Sequence, residues 1–388
     1  CLLYVKKPTS RLKFAPLASA LLPGVKNGNA AGMRCDFARY AAKQHFTKNQ
    51  HKTRTMTSAT HNTNILIIGA GLAGLSAAND LQRSGYKVLV VDKGRGLGGR
   101  LAGRRIGNAT FDHGAQFMTT RHSRFVEEVN RWVDAGVAEQ WYASVPGQPN
   151  SHIRYRGVPT MTAIAKNMAE GMNILRAARV THVAQSDKIW IASLDNGTTI
   201  SADALLITSP VPQTIELLAT GNIQLPKDKC DRLNNIVYES CIAVMAVLDS
   251  PSKIPPPGAL MLADGPIAWI GDNQQKGVSS IPAVTIHSSG EFSAKNFEND
   301  HQTVAQQLLA LAQPLIGAKV IEHQIHGWRY SKPLVMDEHR YMLASEGTRL
   351  PPLAFAGDAF AGPRVEGAVL SGWAAAEALV NCRFKGID

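Results

Sequence analysis

The residues best suited to chemistry stand in glycine-rich company: Gly69-Ala70-Gly71-Leu72-Ala73-Gly74 with Asp92 after it, then Gly98-Gly99-Arg100, and far downstream Gly357-Asp358. In the first stretch each glycine has a physical reason. Gly69 permits a tight turn, Gly71 lets backbone approach a pyrophosphate, and Gly74 lets a helix pack close to a strand. Leu72 and Ala73 would open that helix, whose free N–H groups and partial positive charge suit phosphates. Asp92, with Lys93 behind it, falls where a carboxylate can accept both hydroxyls of an adenosine ribose. The plainer alternative is a turn-forming acid after a strand. Arg100 can pair with a pyrophosphate oxygen, flanked by two glycines that again allow close approach. By itself this loop could also be a surface turn, and the nucleotide could be NAD or FAD.

Regular elements must hold these residues. Asn64-Ile-Leu-Ile-Ile68 is a short, β-branched apolar run of the kind that forms a central parallel strand. Leu72, Leu75, Ala78 and Leu81 mark a helical stripe, Ser84-Gly85 stops it, and Lys87 to Asp92 reads as a second strand. Leu353 to Phe355 is a further buried strand running into Gly357-Asp358, and the chain ends in a helix containing Trp373, Ala376 and Leu379. Ser201 to Pro210 looks like the strand that rejoins the nucleotide fold, preceded by a β-rich passage from Ile174 with a hairpin signal at Asp195-Asn196-Gly197. A strand over Ser240 to Leu248, a turn over Pro251 to Pro257 and a helix over Thr303 to Leu315 supply a second unit.

Phe111-Asp112-His113-Gly114-Ala115-Gln116-Phe117 is a narrower pattern than the glycine turn, and Trp328-Arg329-Tyr330-Ser331 accompanies it. Together with the loop after Asp92 and the segment Gly-Pro-Arg-Val-Glu-Gly at 362–367, these residues resemble the amine oxidase and renalase branch of flavoproteins, the bacterial renalase type in particular, over roughly residues 62 to 380. The resemblance implies an α/β fold: a Rossmann-type FAD-binding domain, like that of glutathione reductase and the amine oxidases, with an inserted mixed α+β substrate domain. It divides the chain into a tail at 1–60, a discontinuous FAD domain at 62–115, 172–212 and 327–388, and a substrate domain at 116–171 and 213–326. The cofactor it implies is FAD. Asp358, after Gly357, would bond the ribityl or pyrophosphate region; Val365, Glu366, Gly367 and Ala368 would lie beside the isoalloxazine; Val180 would meet the adenine through its backbone; Gly114, Ala115 and Gln116 would adjoin the flavin.

The activity implied is transfer of a hydride from dihydro-NAD(P) isomers to the flavin, with dioxygen as acceptor and hydrogen peroxide as product. Loss of a hydride makes the pyridinium aromatic, so positioning is the main demand on the protein. His113, Gln116, Trp328 and Tyr330 are the candidates for the substrate and flavin face. Trp328 and Tyr330, two apart on a strand, share a side. His113 reads equally as a flavin neighbour or a histidine satisfied by turn backbone, and Arg329 as a phosphate ligand or a solvated charge. The relatives' pattern Trp-Ile-x-x-Asn-Ser-x-Lys-Pro stands here as Trp269-Ile-Gly-Asp-Asn273-Gln-Gln-Lys276-Gly, without the proline. Two other readings remain: a flavin amine oxidase acting on a primary or secondary amine, and a non-catalytic FAD- or NAD-binding protein.

Composition narrows the partners. The formal charge is +11, but residues 1–60 hold eleven Lys and Arg against the single acid Asp36, so the remainder is close to neutral. The basic balance therefore belongs to the tail and gives no reason to expect nucleic acid. Residues 1–55 read as upstream sequence ahead of Met56, as a transit segment, or as a disordered tail. The expected location is the cytoplasm, with organelle import open on the transit reading. No run is apolar enough to span a bilayer. The five cysteines show no metal-ligand spacing with the histidines, so no metal is expected and the thiols are read as free.

Overall fold

The computed structural model describes residues 60–143, 152–360 and 362–384. The tail expected over 1–60 falls outside the described residues except for the backbone of Thr60. In chain order the strands are β1 (Thr60–Ile68), β2 (Val88–Val91), β3 (Gly103–Ile106), β4 (Ala109–Asp112), β5 (Ala138–Tyr142), β6 (Arg154–Gly157), β7 (Ile174–Leu175), β8 (Val180–Ser186), β9 (Ile189–Leu194), β10 (Thr199–Ile207), β11 (Val237–Leu248), β12 (Ala259–Met261), β13 (Ile267–Asp272), β14 (Ala283–Ser288), β15 (Val320–Val335), β16 (Met342–Leu343) and β17 (Leu353–Phe355).

The first sheet runs β16-β17-β10-β1-β2-β7, with β9 also pairing β10 and β8 pairing β9. Its centre is parallel: β1 pairs β2 and β10, and β10 pairs β17. Such strands are covered on both faces, which is why β2 and the end of β1, Ile65–Ile68, are continuous apolar runs. On one face lie the helix Leu72–Arg83 and the last helix, Val365–Phe384. These two helices approach so closely that a Cβ on Gly372 would stand 2.2 Å from the carbonyl oxygen of Ala73. On the other face Trp190, Leu218 and Phe360 pack beneath β8 to β10.

The second sheet, β12-β13-β14-β11-β15, is antiparallel throughout. Strand alternation gives β11 two different faces. Ile242, Val244, Ala246 and Leu248 pack on the helix His301–Ile316, through its Val304, Leu308 and Ala312. That helix begins where Asp300 accepts from the backbone N–H of Thr303 at 2.8 Å and ends at Gly317 in the left-handed region, so it is slightly longer than its apolar stripe predicts. From the opposite side of β11, Met245 and Val247 pack with Ile106, Ala109 and Phe111.

Packing moves the expected domain limits. Phe125, Val129, Trp132, Ile164 and Met168 share one core with Leu75, Leu81 and Trp373, so the helices within 116–171 pack on the nucleotide unit, while Phe117 and Trp141 reach Trp269 of the second sheet. Ile215, Leu218 and Leu233 likewise join the core of the first sheet. The boundary expected at 327 cuts through β15, which stays paired with β11 from Val320 to Val335. Trp328 and Tyr330 are therefore contributed by the second sheet. Cys241 is a buried free thiol, as read from the sequence.

Candidate active site

The glycine turn leaves β1 for the helix Leu72–Arg83. Gly69 sits at φ +114°, in a region that L side chains rarely adopt. A Cβ on Gly74 would fall 1.9 Å from the carbonyl oxygen of Gly69 and 3.1 Å from Thr208 Oγ1, so the bare glycine lets the helix close against its own turn and the end of β10. A Cβ on Gly71 would meet nothing within 4 Å. One glycine is demanded by the fold and the other faces open space. Gly71 is the N-cap, no side chain caps the helix, and its first turn carries no acid. The orphan N–H groups of a helix start are thus left to a ligand.

Asp92, just past β2, accepts from the backbone N–H of Ala70 through Oδ2 and of Gly94 through Oδ1, each at 2.6 Å. It thereby ties the glycine turn to the next loop while lining the same cavity. Arg100 does not stand free for a phosphate, as expected from sequence; it makes a two-pronged contact with Asp358, Nη1 to Oδ2 and Nη2 to Oδ1, both 2.7 Å. Burial pulls the guanidinium pKa down most, yet the charge of Asp358 and its hydrogen bond together raise it. Nη1 also reaches the carbonyl oxygens of Tyr330 and Ser331, at 3.3 and 3.1 Å. The two residues assigned separate ligand contacts are first of all partners that clamp the glycine loop to β15 and to the returning segment.

A buried polar knot fixes the 112–119 segment. Asp112 and Lys276 have fully buried side chains and meet at 2.8 Å. Burial lowers the Lys276 pKa most strongly, against the opposing pull of Asp112. Asp112 Oδ1 accepts from the backbone N–H of Met161 at 2.9 Å, and the Asp112 carbonyl accepts from Thr285 Oγ1 at 2.9 Å. Asn273 Oδ1 receives the Asp112 N–H at 3.2 Å, and Asn273 Nδ2 donates to Thr285 Oγ1 at 3.0 Å. Every side chain of this knot is buried. Sequence reasoning missed the role of Asp112 and Lys276, although both lie inside motifs it singled out.

The knot aims Gln116. Its Nε2 donates to the carbonyls of Asp112 and Gly114 at 2.6 and 3.2 Å, which settles the amide orientation because both partners only accept. Its Oε1 is buried without a partner, as is Trp269 Nε1. Both of these atoms lie within 3.0 Å of where a Cβ on Gly271 would stand.

His113 is not on the cavity wall. Its ring is 2% exposed and stacked behind Trp328, centroids 5.2 Å apart at 29°. Its carbonyl oxygen accepts from Trp328 Nε1 at 2.9 Å and from His287 Nε2 at 3.1 Å. A carbonyl cannot donate, so His287 holds its proton on Nε2. Burial first, then the charges of His326, Arg104 and His287, push the His113 pKa down to about 3. Burial similarly brings His287 to about 4 and pushes the Cys241 thiol up to about 12. His326 is lowered, chiefly by burial. Near neutral pH all four are uncharged.

One cavity of about 1590 Å³ joins these parts. Of the residues singled out in the sequence, Gly69, Gly71, Leu72, Ala73, Asp92, Lys93, Gly98, Gly99, Arg100, Gly114, Ala115, Gln116, Val180, Trp328, Tyr330, Gly357, Asp358, Val365 and Ala368 line it. Gly74, His113, Glu366 and Gly367 are not among its lining residues. On the last helix Val365 and Ala368, three apart, face one way, and the two between them turn aside. Glu366 instead accepts from the backbone N–H groups of Arg121 and His122, each at 2.7 Å. Phe117, Cys241, Trp269, His287 and His326 line the cavity but were not selected as site residues. Phe117 and Trp269 did stand in recognisable motifs; Cys241, His287 and His326 carried no local signal. Arg329 pairs with Glu298 at 2.7 Å and lies over the Phe297 ring. Among the described residues no cluster of His, Cys, Asp or Glu suits a metal, and no helix is long and apolar enough to cross a membrane.

A parallel nucleotide sheet with an uncapped glycine turn, an antiparallel second sheet and one long cavity between them define a two-unit dinucleotide-dependent oxidoreductase. Comparison with known proteins makes this specific. Residues 135–380 match the flavin containing amine oxidoreductase family, and residues 67–132 match the NAD(P)-binding Rossmann-like domain. The chain belongs to the flavin containing amine oxidoreductase family and is an FAD-dependent oxidoreductase. It is 23% identical to renalase of Mus musculus over 292 residues, 69% of this chain and 84% of the relative. In fold it is similar to a putrescine oxidase with redesigned cofactor binding (TM-score 0.65, 15% identity, 84% of this chain and 100% of that one). Cyclohexylamine oxidase from Brevibacterium oxydans is similar too (TM-score 0.65, 13% identity, 83% of this chain and 99% of that one). The residues present fit FAD: open space before Gly71, uncapped helix N–H groups, a carboxylate at the end of β2, and a cavity larger than the roughly 300–1,000 Å³ of a drug-sized site.

Proposed function

We propose that this enzyme oxidises dihydro-NAD(P) isomers. The observation that carries the reading is the electrical neutrality of the substrate side. Gln116, Phe117, Cys241, Trp269, His287, His326 and Trp328 form it, with no carboxylate among them, and the neighbouring lining cations Arg329 and Lys332 are offset by Glu298 and Glu239. Burial keeps its histidines deprotonated and its thiol protonated. A dihydropyridine needs no general base and no counter-charge, only a flat apolar wall that excludes water and fixes the donor carbon. An ammonium substrate would enter a site without an anion to meet it or a base poised to take its proton.

In this reading Gly69, Gly71, Leu72, Ala73, Gly98 and Gly99 hold the FAD phosphates, Asp92 and Lys93 the adenosine ribose region, and the Val180 backbone the adenine. Arg100 and Asp358 act as one unit beside Gly357. Gly114, Ala115, Gln116, Val365 and Ala368 flank the isoalloxazine. Glu366, Gly367, Gly74 and His113 support these groups from behind. When bound, FAD would supply the two-electron acceptor for the hydride, and dioxygen with one proton from solvent would carry the electrons away as hydrogen peroxide. Trp328, its indole N–H tied to the His113 carbonyl, and Tyr330, its ring edge-on to Tyr238 at 5.5 Å, form the wall against which substrate rests.

A second reading, oxidation of a primary or secondary amine, draws on the same aromatic pair, since a neutral amine also needs little more than placement. Anaerobic mixing of the holoenzyme with 6-dihydro-NAD is expected to bleach the flavin bands, and air to restore them with peroxide release. Flavin that stays oxidised with every dihydro isomer, but bleaches rapidly with one member of an amine panel, would reject the first reading in favour of the second.

A further inference from the structure

Several cations around the cavity are paired with carboxylates, although Arg179 and Arg364 of its lining form no such pair among the described residues. Arg100 meets Asp358, Arg156 meets Glu139, Arg329 meets Glu298 and Lys276 meets Asp112. Arg154 differs. Its guanidinium lies over two rings, 4.8 Å from the centroid of Tyr142 and 5.4 Å from that of Phe117. Its Nη1 reaches only the carbonyl of His152 at 3.3 Å, and its buried Nε has no hydrogen-bond partner. No carboxylate among the described residues pairs with it, and residues 144–151 contain no acid in sequence.

The position of this cation is fixed relative to the cavity. Arg154 opens β6, opposite Tyr142 of β5. The next residue, Tyr155, exchanges backbone hydrogen bonds with Met118, 2.9 and 2.8 Å, so β6 is tied directly to the segment that presents Gln116 and Phe117. Phe117 lines the cavity and lies 5.8 Å from Trp269 and 6.4 Å from Trp141. An aromatic group with one uncompensated guanidinium thus stands beside the neutral wall.

We propose that Arg154 is a phosphate-binding subsite, which takes the diphosphate of a pyridine dinucleotide while the dihydropyridine ring lies against Phe117 and Trp328. The inference rests on the functional reading above and deepens it. A guanidinium held flat by two rings keeps its N–H edge free, and that planar fork matches a phosphate. In a dinucleotide the first phosphate is one ribose away from the reacting ring, so a cation at the edge of the ring pocket meets it without entering the reaction. Arg154 would select for substrates that carry phosphate and against small ammonium ions.

The test is direct binding of products to the oxidised holoenzyme, read by perturbation of the flavin bands, with NAD+ and the phosphate-free 1-methylnicotinamide as probes. Arg154→Met is expected to raise the Kd for NAD+ roughly tenfold and to leave 1-methylnicotinamide unchanged, with Arg154→Lys between. An unchanged melting temperature shows that the variant is folded; if Arg154→Met is unstable, the wild-type against Arg154→Lys comparison carries the same expectation in the same direction. Equal NAD+ affinity in all three proteins, or equal weakening of both probes, overturns the proposal, and so does a wild type that binds no NAD+. If NAD+ binding depends on Arg154 while no dihydro isomer bleaches the flavin, the subsite stands and the functional reading falls.

Discussion

The nucleotide cradle and the substrate face are built in opposite ways. The cradle is local: one strand, one glycine turn, one helix and the acid at the end of the next strand follow each other in sequence, and backbone geometry at Gly69 and Gly74 does most of the shaping. The substrate face is assembled across long separations. Asp112 meets Lys276 164 residues away and Thr285 173 residues away, and β15 supplies the aromatic wall. The cradle can fail residue by residue through its backbone, while the face fails when one member of its buried knot is lost.

Lys276→Met is expected to have the largest effect. It leaves the Asp112 carboxylate buried without its cation, a change that costs about 3–5 kcal/mol in comparable sites. Denaturant unfolding of the holoenzyme would measure it. Adding Asp112→Asn to Lys276→Met should recover part of the loss, because the stranded charge is then gone. A single-variant loss under about 1 kcal/mol would mean that the knot is solvated, and the contrast drawn here between cradle and face would collapse.

The second experiment divides the cradle itself. Gly74→Ala drives a methyl into the Gly69 carbonyl, 1.9 Å away, and should destabilise by about 1–3 kcal/mol as the turn shifts. Gly71→Ala meets no protein atom within 4 Å, so the apoprotein should keep its stability while the FAD Kd rises. Thermal melts of apoprotein together with FAD titration separate the two. Equal effects on both measurements would show that Gly71 serves the fold after all and not the ligand.

This contrast also explains what could be read from sequence. The glycine turn and Asp92 are legible because their spacing alone sets their geometry, whereas the partner of Arg100, Asp358, lies 258 residues away. The Gly357-Asp358 return was legible only through family resemblance, since nothing local shows that it closes on Arg100. The aromatics Trp328 and Tyr330 followed from strand alternation, but their membership of the second sheet did not, because the pairing partner β11 begins about ninety residues earlier. His113 shared a motif with true wall residues, yet extended backbone turns its ring the other way from Gly114, and the helix does the same to Glu366 and Gly367 relative to Val365. Phe117, Cys241, His287 and His326 come together only when the antiparallel sheet forms, so no window of sequence contains the site they make.

Arg329 gives the smallest expected effect and tests the alternation on which the wall depends. Trp328 and Tyr330 turn one way along β15, and Arg329 between them turns outward to Glu298, which is 74% exposed. An exposed pair of this kind contributes about 0–1 kcal/mol. The contact over Phe297 adds packing that Arg329→Met retains in part and Arg329→Ala removes. Arg329→Ala should therefore lower stability by less than about 1 kcal/mol, with no change in the FAD Kd or in NAD+ affinity. A marked loss of either affinity would place the guanidinium on a phosphate, as one reading of the sequence allowed. It would also mean that β15 presents three consecutive side chains to ligand, through the irregularity where its register with β11 shifts between Trp328 and Lys332.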